Sequence, residues 1–193
     1  MAKLTIASSE LILGGQKSGK SRRAESLAKA WLDQASGHRA MLLATGQPWD
    51  DEMRERIARH KSDRVRRVPG MQTVETPLHF AQAIATHSHP DGLLVVDCMT
   101  LWLTNWMMPA GAASAEPAPV SELLKALEAA PGPVVLVGNE IGLGVIPLGQ
   151  EVRAFVDALG HLNQSLAAGC SRVGGLKDDH CLLCGNFKKR RKA

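Results

Sequence analysis

Residues Gly14 to Ser21 read GGQKSGKS and directly follow the apolar run Ser9–Leu13. Strand, glycine loop and Lys-Ser ending together match the phosphate-binding P-loop in full, and that loop needs a buried strand before it and a helix after it. Gly14 and Gly19 let the backbone curl so that successive N–H groups point at phosphate oxygens. A helix starting near Ser21 would aim the positive end of its dipole at the same anions. Lys20 is placed to reach the β- and γ-phosphates, and the Ser21 hydroxyl to ligate Mg²⁺.

The rest of the chain supplies the layers such a loop requires. Ser21–Trp31 carries Ala24, Leu27, Ala28 and Trp31 at the spacing of one buried helix face. Arg39–Ala44 reads as a second strand, and Asp50, Asp51 and Glu52 open a helix with acidic residues in its first turn. Met53, Ile57 and His60 share one face of that helix, and Arg64–Pro69 reads as a charged connector. Gln72–Glu75 is expected as a short strand and Leu78–Thr86 as a helix.

Leu93–Cys98 is a buried strand with Asp97 at its carboxyl end, followed by an apolar helix over Thr100–Met108. Pro109–Pro119 reads as a surface loop, Glu122–Ala130 as a helix, Pro133–Val137 as a strand and Val152–Ala168 as a long helix. Continuous apolar strands alternating with helices predict an α/β fold, a mostly parallel sheet with helices on both faces. Asp97 is expected beside the P-loop, where the carboxylate of a Walker B strand organises Mg²⁺.

Charge and cysteines narrow the function classes. Net charge is +4, but residues 170–193 hold seven basic and two acidic residues, leaving −1 for the preceding 169. The basic balance therefore belongs to the tail, and no nucleic-acid partner is expected. No apolar run approaches the ~20 residues of a membrane span, and the N-terminus does not resemble a secretory signal, so a cytoplasmic protein is expected. His180, Cys181 and Cys184 offer at most three neighbouring ligands where a structural zinc site takes four. Asn139-Glu140 lacks the Lys and Asp that would read guanine in a switch GTPase. Small-molecule kinases and nucleotide-binding regulatory modules remain open. Both Asn139 and Glu140 sit where open α/β sheets bind ligands.

Four segments taken together are more specific than the P-loop. GGQKSGKSRRAE, LLATGQPWDDEMRERIARHK, VVDCMTLWLTN and VVLVGNEIGLGVIPLGQEVRAFVDALGHLNQSLAA run in this order over about Ser9 to Ala168. They resemble the bifunctional adenosylcobinamide kinase/adenosylcobinamide-phosphate guanylyltransferase family of cobalamin assembly. The resemblance implies a RecA-like P-loop domain with two reactions at one site. ATP or GTP phosphorylates adenosylcobinamide, and GTP then leaves GMP on a histidine for transfer to the adenosylcobinamide phosphate. By position, His60 matches that histidine and joins Lys20 as a catalytic residue.

The triphosphate-binding stretches carry over to Gly14, Gly15, Gln16, Lys17, Ser18, Gly19, Lys20 and Ser21, to Ala44, Thr45 and Gly46, to Lys61, Ser62, Asp63 and Arg64, and to Glu75 and Asp97. Chemistry agrees with the His60 assignment, since a neutral imidazole is a good nucleophile near pH 7. Lys61 and Arg64 follow it closely enough to neutralise charge on a pentacovalent phosphorus. Helical spacing alone would equally explain His60 as a packed residue beside Met53 and Ile57. The resemblance also implies a homo-oligomer, a trimer. It ends near Ala168, where the family adds one more apolar strand. Residues 170–193 are polar, Cys/His-bearing and basic, and do not read as that strand. The expectation is one domain over 1–169 and an atypical, ill-ordered tail over 170–193.

Overall fold

The computed structural model describes residues 4–109, 116–144, 147–177 and 180–185, with side chains through Leu176. Each apolar run of the sequence becomes a strand in a single sheet. β1 (Ser9–Gly14), β2 (Arg39–Ala44), β3 (Gln72–Glu75), β4 (Gly92–Asp97), β5 (Val134–Asn139), β6 (Arg172–Lys177) and β7 (His180–Gly185) lie in the order β3-β2-β4-β5-β1-β6-β7. The first six run parallel, and β7 pairs antiparallel to β6 at one edge. The helices between them are α1 (Lys20–Leu32), α2 (Asp51–Arg67), α3 (Phe80–His87), α4 (Met99–Met107), α5 (Val120–Ala129) and α6 (Gln150–Gly169).

Strand pleating divides the core in two. Leu11, Leu94, Val96, Val134 and Leu136 face α3, α4, α5 and α6, with Phe80, Ile84, Met99, Trp102, Leu123, Leu159 and Leu162 against them. Their alternates Ile12, Leu93, Val95, Val135 and Val137 face α1 through Ala24, Leu27 and Ala28. Trp102 belongs wholly to the first layer: its indole donates to the Leu78 carbonyl at 2.7 Å and its ring stacks on Phe80.

Two expectations are corrected. The charged connector over Arg64–Pro69 is helix as far as Arg67, because Asp63 pairs with Arg66 and Arg67 one turn on. The second concerns the tail. Arg172–Lys177 is the missing strand, parallel to β1 from Glu10↔Arg172 to Gly14↔Leu176. It escaped notice because its position is fixed by polar contacts, with two central glycines where a buried strand usually shows branched apolar residues.

Ser171 accepts from the Ser9 amide at 3.0 Å, donates to the Ser9 carbonyl at 2.7 Å, and its own amide donates to the Ser9 hydroxyl at 2.9 Å. One residue on, Arg172 donates to the buried carboxylate of Glu10 at 3.0 Å and to the Thr5 carbonyl at 2.6 Å. The sheet thus runs past the expected boundary at 169. The basic run 188–192 lies outside the described residues, as do the side chains of His180, Cys181 and Cys184.

Cys170, buried at the end of α6, carries a thiol pushed up to about 12, chiefly by burial and further by the Glu10 carboxylate, against a hydrogen bond with Ser9 that pulls it down. An unfolded thiol ionises near 9. The folded form keeps its proton longer, so this contribution to stability is complete below pH 9 and is lost between pH 9 and about 12. The Cys170→Ala variant should therefore lose less stability than wild type between pH 8 and 11 in urea titrations.

Removing Arg172 leaves the buried Glu10 carboxylate with only the longer Arg23 pair at 3.9 Å, so Arg172→Met is expected to cost roughly 2 kcal/mol, less than the loss of a sole buried partner, by the same measurement. A chain ending at Ala168 should lose cooperative unfolding and protease resistance altogether. Wild-type behaviour from it would overturn the place given to β6.

Candidate active site

Register brings the sequence's scattered candidates to one edge of the sheet. Glu75, Ala44, Asp97 and Val137 form a row of Cα partners across β3, β2, β4 and β5. Gly14 and Asn139 pair two residues further along. This is the carboxyl end of a parallel sheet, where open α/β folds bind ligands. Asp97 is not on the strand next to the P-loop, because β5 lies between β4 and β1. The two still share a cleft of about 890 Å³.

The loop between β1 and α1 has the shape an anion needs. Gly19 holds a φ of 88° and Lys17 one of 57°, so the chain turns twice through the left-handed region. Gly14 is required by space. A Cβ there would stand 2.4 Å from the Leu176 carbonyl oxygen on β6 and 2.6 Å from the Ser18 hydroxyl. The Lys20 ammonium turns back onto its own loop, donating to the Gly15 carbonyl at 2.5 Å and to the Ser18 hydroxyl at 3.4 Å. Burial lowers its pKa; neighbouring Cys98 and Asp97 raise it, and Arg56 lowers it further. Lys20, Asp97 and Arg56 all line the same cleft.

The opposite wall is α2. Asp50 caps it by accepting from the Met53 amide at 2.7 Å, and Asp51 and Glu52 occupy its first turn. Its cleft side carries Met53, Arg56, Ile57, His60 and Arg64, the periodicity of one helical face. His60 is half-buried there. Burial lowers the Arg64 pKa while Asp97 and Glu25 support its charge. Lys61 donates to Glu75 at 2.7 Å, which ties α2 to the end of β3. Gln16 of the loop faces Arg56, with its carbonyl oxygen accepting both guanidinium N–H groups at 3.3 Å.

Most of the expected site residues therefore meet. Gln16, Lys17, Ser18, Gly19, Lys20, Ser21, Ala44, Gly46, His60, Lys61, Asp63, Arg64, Glu75 and Asp97 all line the cleft. Four do not. Gly14 shapes the loop from beneath, and Gly15 supplies the carbonyl that holds Lys20. Ser62 spends its hydroxyl on the Arg59 carbonyl of its own helix. Thr45 is fully buried, bonded in both directions to the backbone of Cys98, and joins the ends of β2 and β4. Asn105 secures the same corner, donating to the carbonyls of Thr45 and Pro77.

Sequence reasoning missed Arg56, although its spacing of four and eight residues from His60 and Arg64 already put it on the same face. Asn139 lines the cleft as its strand-end position suggested. Arg153 turns instead to the Pro147 and Leu148 carbonyls of the preceding loop. Among the described residues no helix is long and apolar enough to cross a membrane.

A family model described as cobinamide kinase / cobinamide phosphate guanyltransferase matches residues 10–176, the P-loop through β6. The chain belongs to this family. Among its relatives, the bifunctional adenosylcobalamin biosynthesis protein CobP of Pseudomonas aeruginosa is 43% identical over 164 residues, covering 85% of this chain and 90% of that protein. Bifunctional adenosylcobalamin biosynthesis proteins CobU of Escherichia coli and Salmonella typhimurium are 33% and 34% identical over 175 residues, covering 84% of this chain and 92% of each. The family match takes in β6, so Arg172–Leu176 is part of the shared domain.

Filling the space above Gly14 forces the loop away from β6. Gly14→Ala should cost roughly 1–3 kcal/mol by overpacking. Nucleotide affinity should fall at least about tenfold, the equivalent of ~1.4 kcal/mol, as read by fluorescent nucleotide titration.

Proposed function

We propose that this cleft performs both reactions for which its family is named, and that His60 carries the guanylyl group between them. The observation that supports this most is the placement of a half-buried histidine among cations on α2, facing the same space as a complete P-loop. In the first reaction ATP or GTP phosphorylates the hydroxyl of adenosylcobinamide. The loop N–H groups and Lys20 neutralise the transferring phosphoryl group.

The second reaction uses GTP and divides one substitution into two. An imidazole nitrogen of His60 attacks the α-phosphorus. A P–N bond forms, the bond to the β-phosphate oxygen breaks, and pyrophosphate leaves with the electron pair. A phosphate oxygen of adenosylcobinamide phosphate then attacks the same phosphorus. The P–N bond breaks, its pair returns to the ring, and the GDP-activated corrinoid is released. Arg56, Lys61 and Arg64 surround that phosphorus with charge in a part-buried site, where such charge acts strongly.

Mg²⁺ fits the donors present. Ser21 offers a hydroxyl and Asp97 a carboxylate, both hard oxygen ligands, and the Asp97 carboxylate makes no hydrogen bond to the described residues. No cluster of three or more ligating side chains occurs among the described residues, which suits an ion that takes one or two protein oxygens and completes its shell with phosphates and water. When bound, Mg²⁺ would neutralise phosphate charge and orient the chain of phosphates.

We also infer a homo-oligomer, a trimer, on the family resemblance. It is supported by Leu143 and Leu148, which stand 91% and 97% exposed close to Ile141 and Val152 in sequence. Large apolar side chains this exposed mark an interaction surface where they are contiguous. Light scattering should give three times the chain mass, and a monomeric mass would refute it.

The guanylyl reading is tested with α-³²P-GTP, Mg²⁺ and a denaturing gel, beside His60→Ala. Acid-labile label is expected on wild type and absent from the variant. A folded, nucleotide-binding wild type that takes no label would leave a kinase without the guanylyl step, or a binding module.

A further inference from the structure

Glu25 ends the segment GGQKSGKSRRAE, yet the phosphate chemistry gives it no work. It stands on α1, five residues beyond Lys20, with its side chain only 7% exposed. A buried carboxylate needs a partner. Here the partner comes from the other wall of the cleft: Arg67 Nη1 donates to Glu25 Oε2 at 3.0 Å. The Glu25 hydrogen bond is also the main cause that raises the Arg67 pKa. A second cation of α2, the partly desolvated Arg64, has its charge supported by Asp97 and Glu25 together.

Arg64 and Arg67 lie four and seven residues beyond His60, so all three share one helical face. What holds that face in place matters, because α2 has no fully buried residue along its 17-residue length. Its described attachments to the body are mostly polar. The Lys61–Glu75 pair and the Arg64–Thr73 hydrogen bond at 3.3 Å are exposed, and exposed pairs are weak and screened by salt. The Glu25–Arg67 pair alone among them ends on a buried acid.

We propose that Glu25 is a positioning residue for guanylyl transfer. By holding Arg67, it sets the rotation and approach of α2 against the helix that follows the P-loop, and with them the aim of His60 at the α-phosphorus. Phosphoryl transfer to the corrinoid draws on Lys20, Ser21 and the loop amides, none of which belongs to α2, and does not depend on this link. The inference rests on His60 being the guanylyl carrier.

The two chemistries give a readout that a general structural role would not divide. In Glu25→Gln, and separately in Arg67→Gln, the rate of covalent labelling by α-³²P-GTP should fall about 10- to 100-fold, the scale on which small misplacements act. The GTP concentration at half-saturation and the turnover of adenosylcobinamide phosphorylation should stay within about twofold of wild type. The double variant should label no more slowly than either single one, since both remove one contact.

Arg67 is the more exposed partner, so its variant keeps the test available if Glu25→Gln fails to fold. Wild-type labelling rates in Arg67→Gln, equal loss of both reactions, or additive loss in the double variant would overturn the proposal while leaving His60 in place. Absence of label on the wild type would remove the His60 reading and this inference with it.

Discussion

The contact between the backbone at Gly14 and the Leu176 carbonyl on β6 is the constraint on which this structure depends. It admits no side chain, so strand, loop and neighbouring strand meet there as bare backbone. From that point the chain must turn through left-handed geometry at Lys17 and Gly19 before α1 begins. A phosphate site made of amide N–H groups requires that turn, because the donors converge only when the backbone curls. The Ser9–Ser171 and Glu10–Arg172 contacts hold β6 under the loop. They connect residues more than 160 positions apart, and the P-loop is thus completed by the far end of the domain.

The cleft has two walls of different construction. One is the sheet edge, where Asp97, Ala44 and Glu75 are fixed by hydrogen-bonded register. The other is α2, held by side chains. Rigid backbone suits the phosphates that both proposed reactions would bind. A wall held by ion pairs would suit the proposed role of His60, which needs a set reach to one phosphorus.

How much of this was legible in the sequence varied with the range of the interaction. The P-loop and Asp97 could be read because their signals are local: glycines at set spacing, and an acid ending an apolar strand. The alternation of strand and helix was equally clear. β6 was not, since Arg172–Lys177 is placed by partners at the other end of the chain and carries glycines where apolar residues were sought. Glu25 and Arg56 look like ordinary solvated helix residues in sequence and Arg67 like part of a charged connector, and only the packing of α2 near α1 gives Glu25 and Arg67 each other as partners. Thr45 shows the converse: implied as a nucleotide-binding residue, it is buried with its hydroxyl bonded to the Cys98 backbone, joining the ends of β2 and β4.

The strand β5, lying between β1 and β4, has a consequence for how the domain tolerates change. Neighbouring strands are spaced about 4.8 Å apart by their backbone hydrogen bonds, so the Asp97 strand stands roughly 10 Å from the P-loop strand across two such steps. Side chains hardly alter that width. β5 therefore acts as a gauge block, and its residues can drift among Val, Ile and Leu without narrowing or widening the gap. The dimension most critical to holding a phosphate chain is stored in the peptide backbone, beyond the reach of most point substitutions.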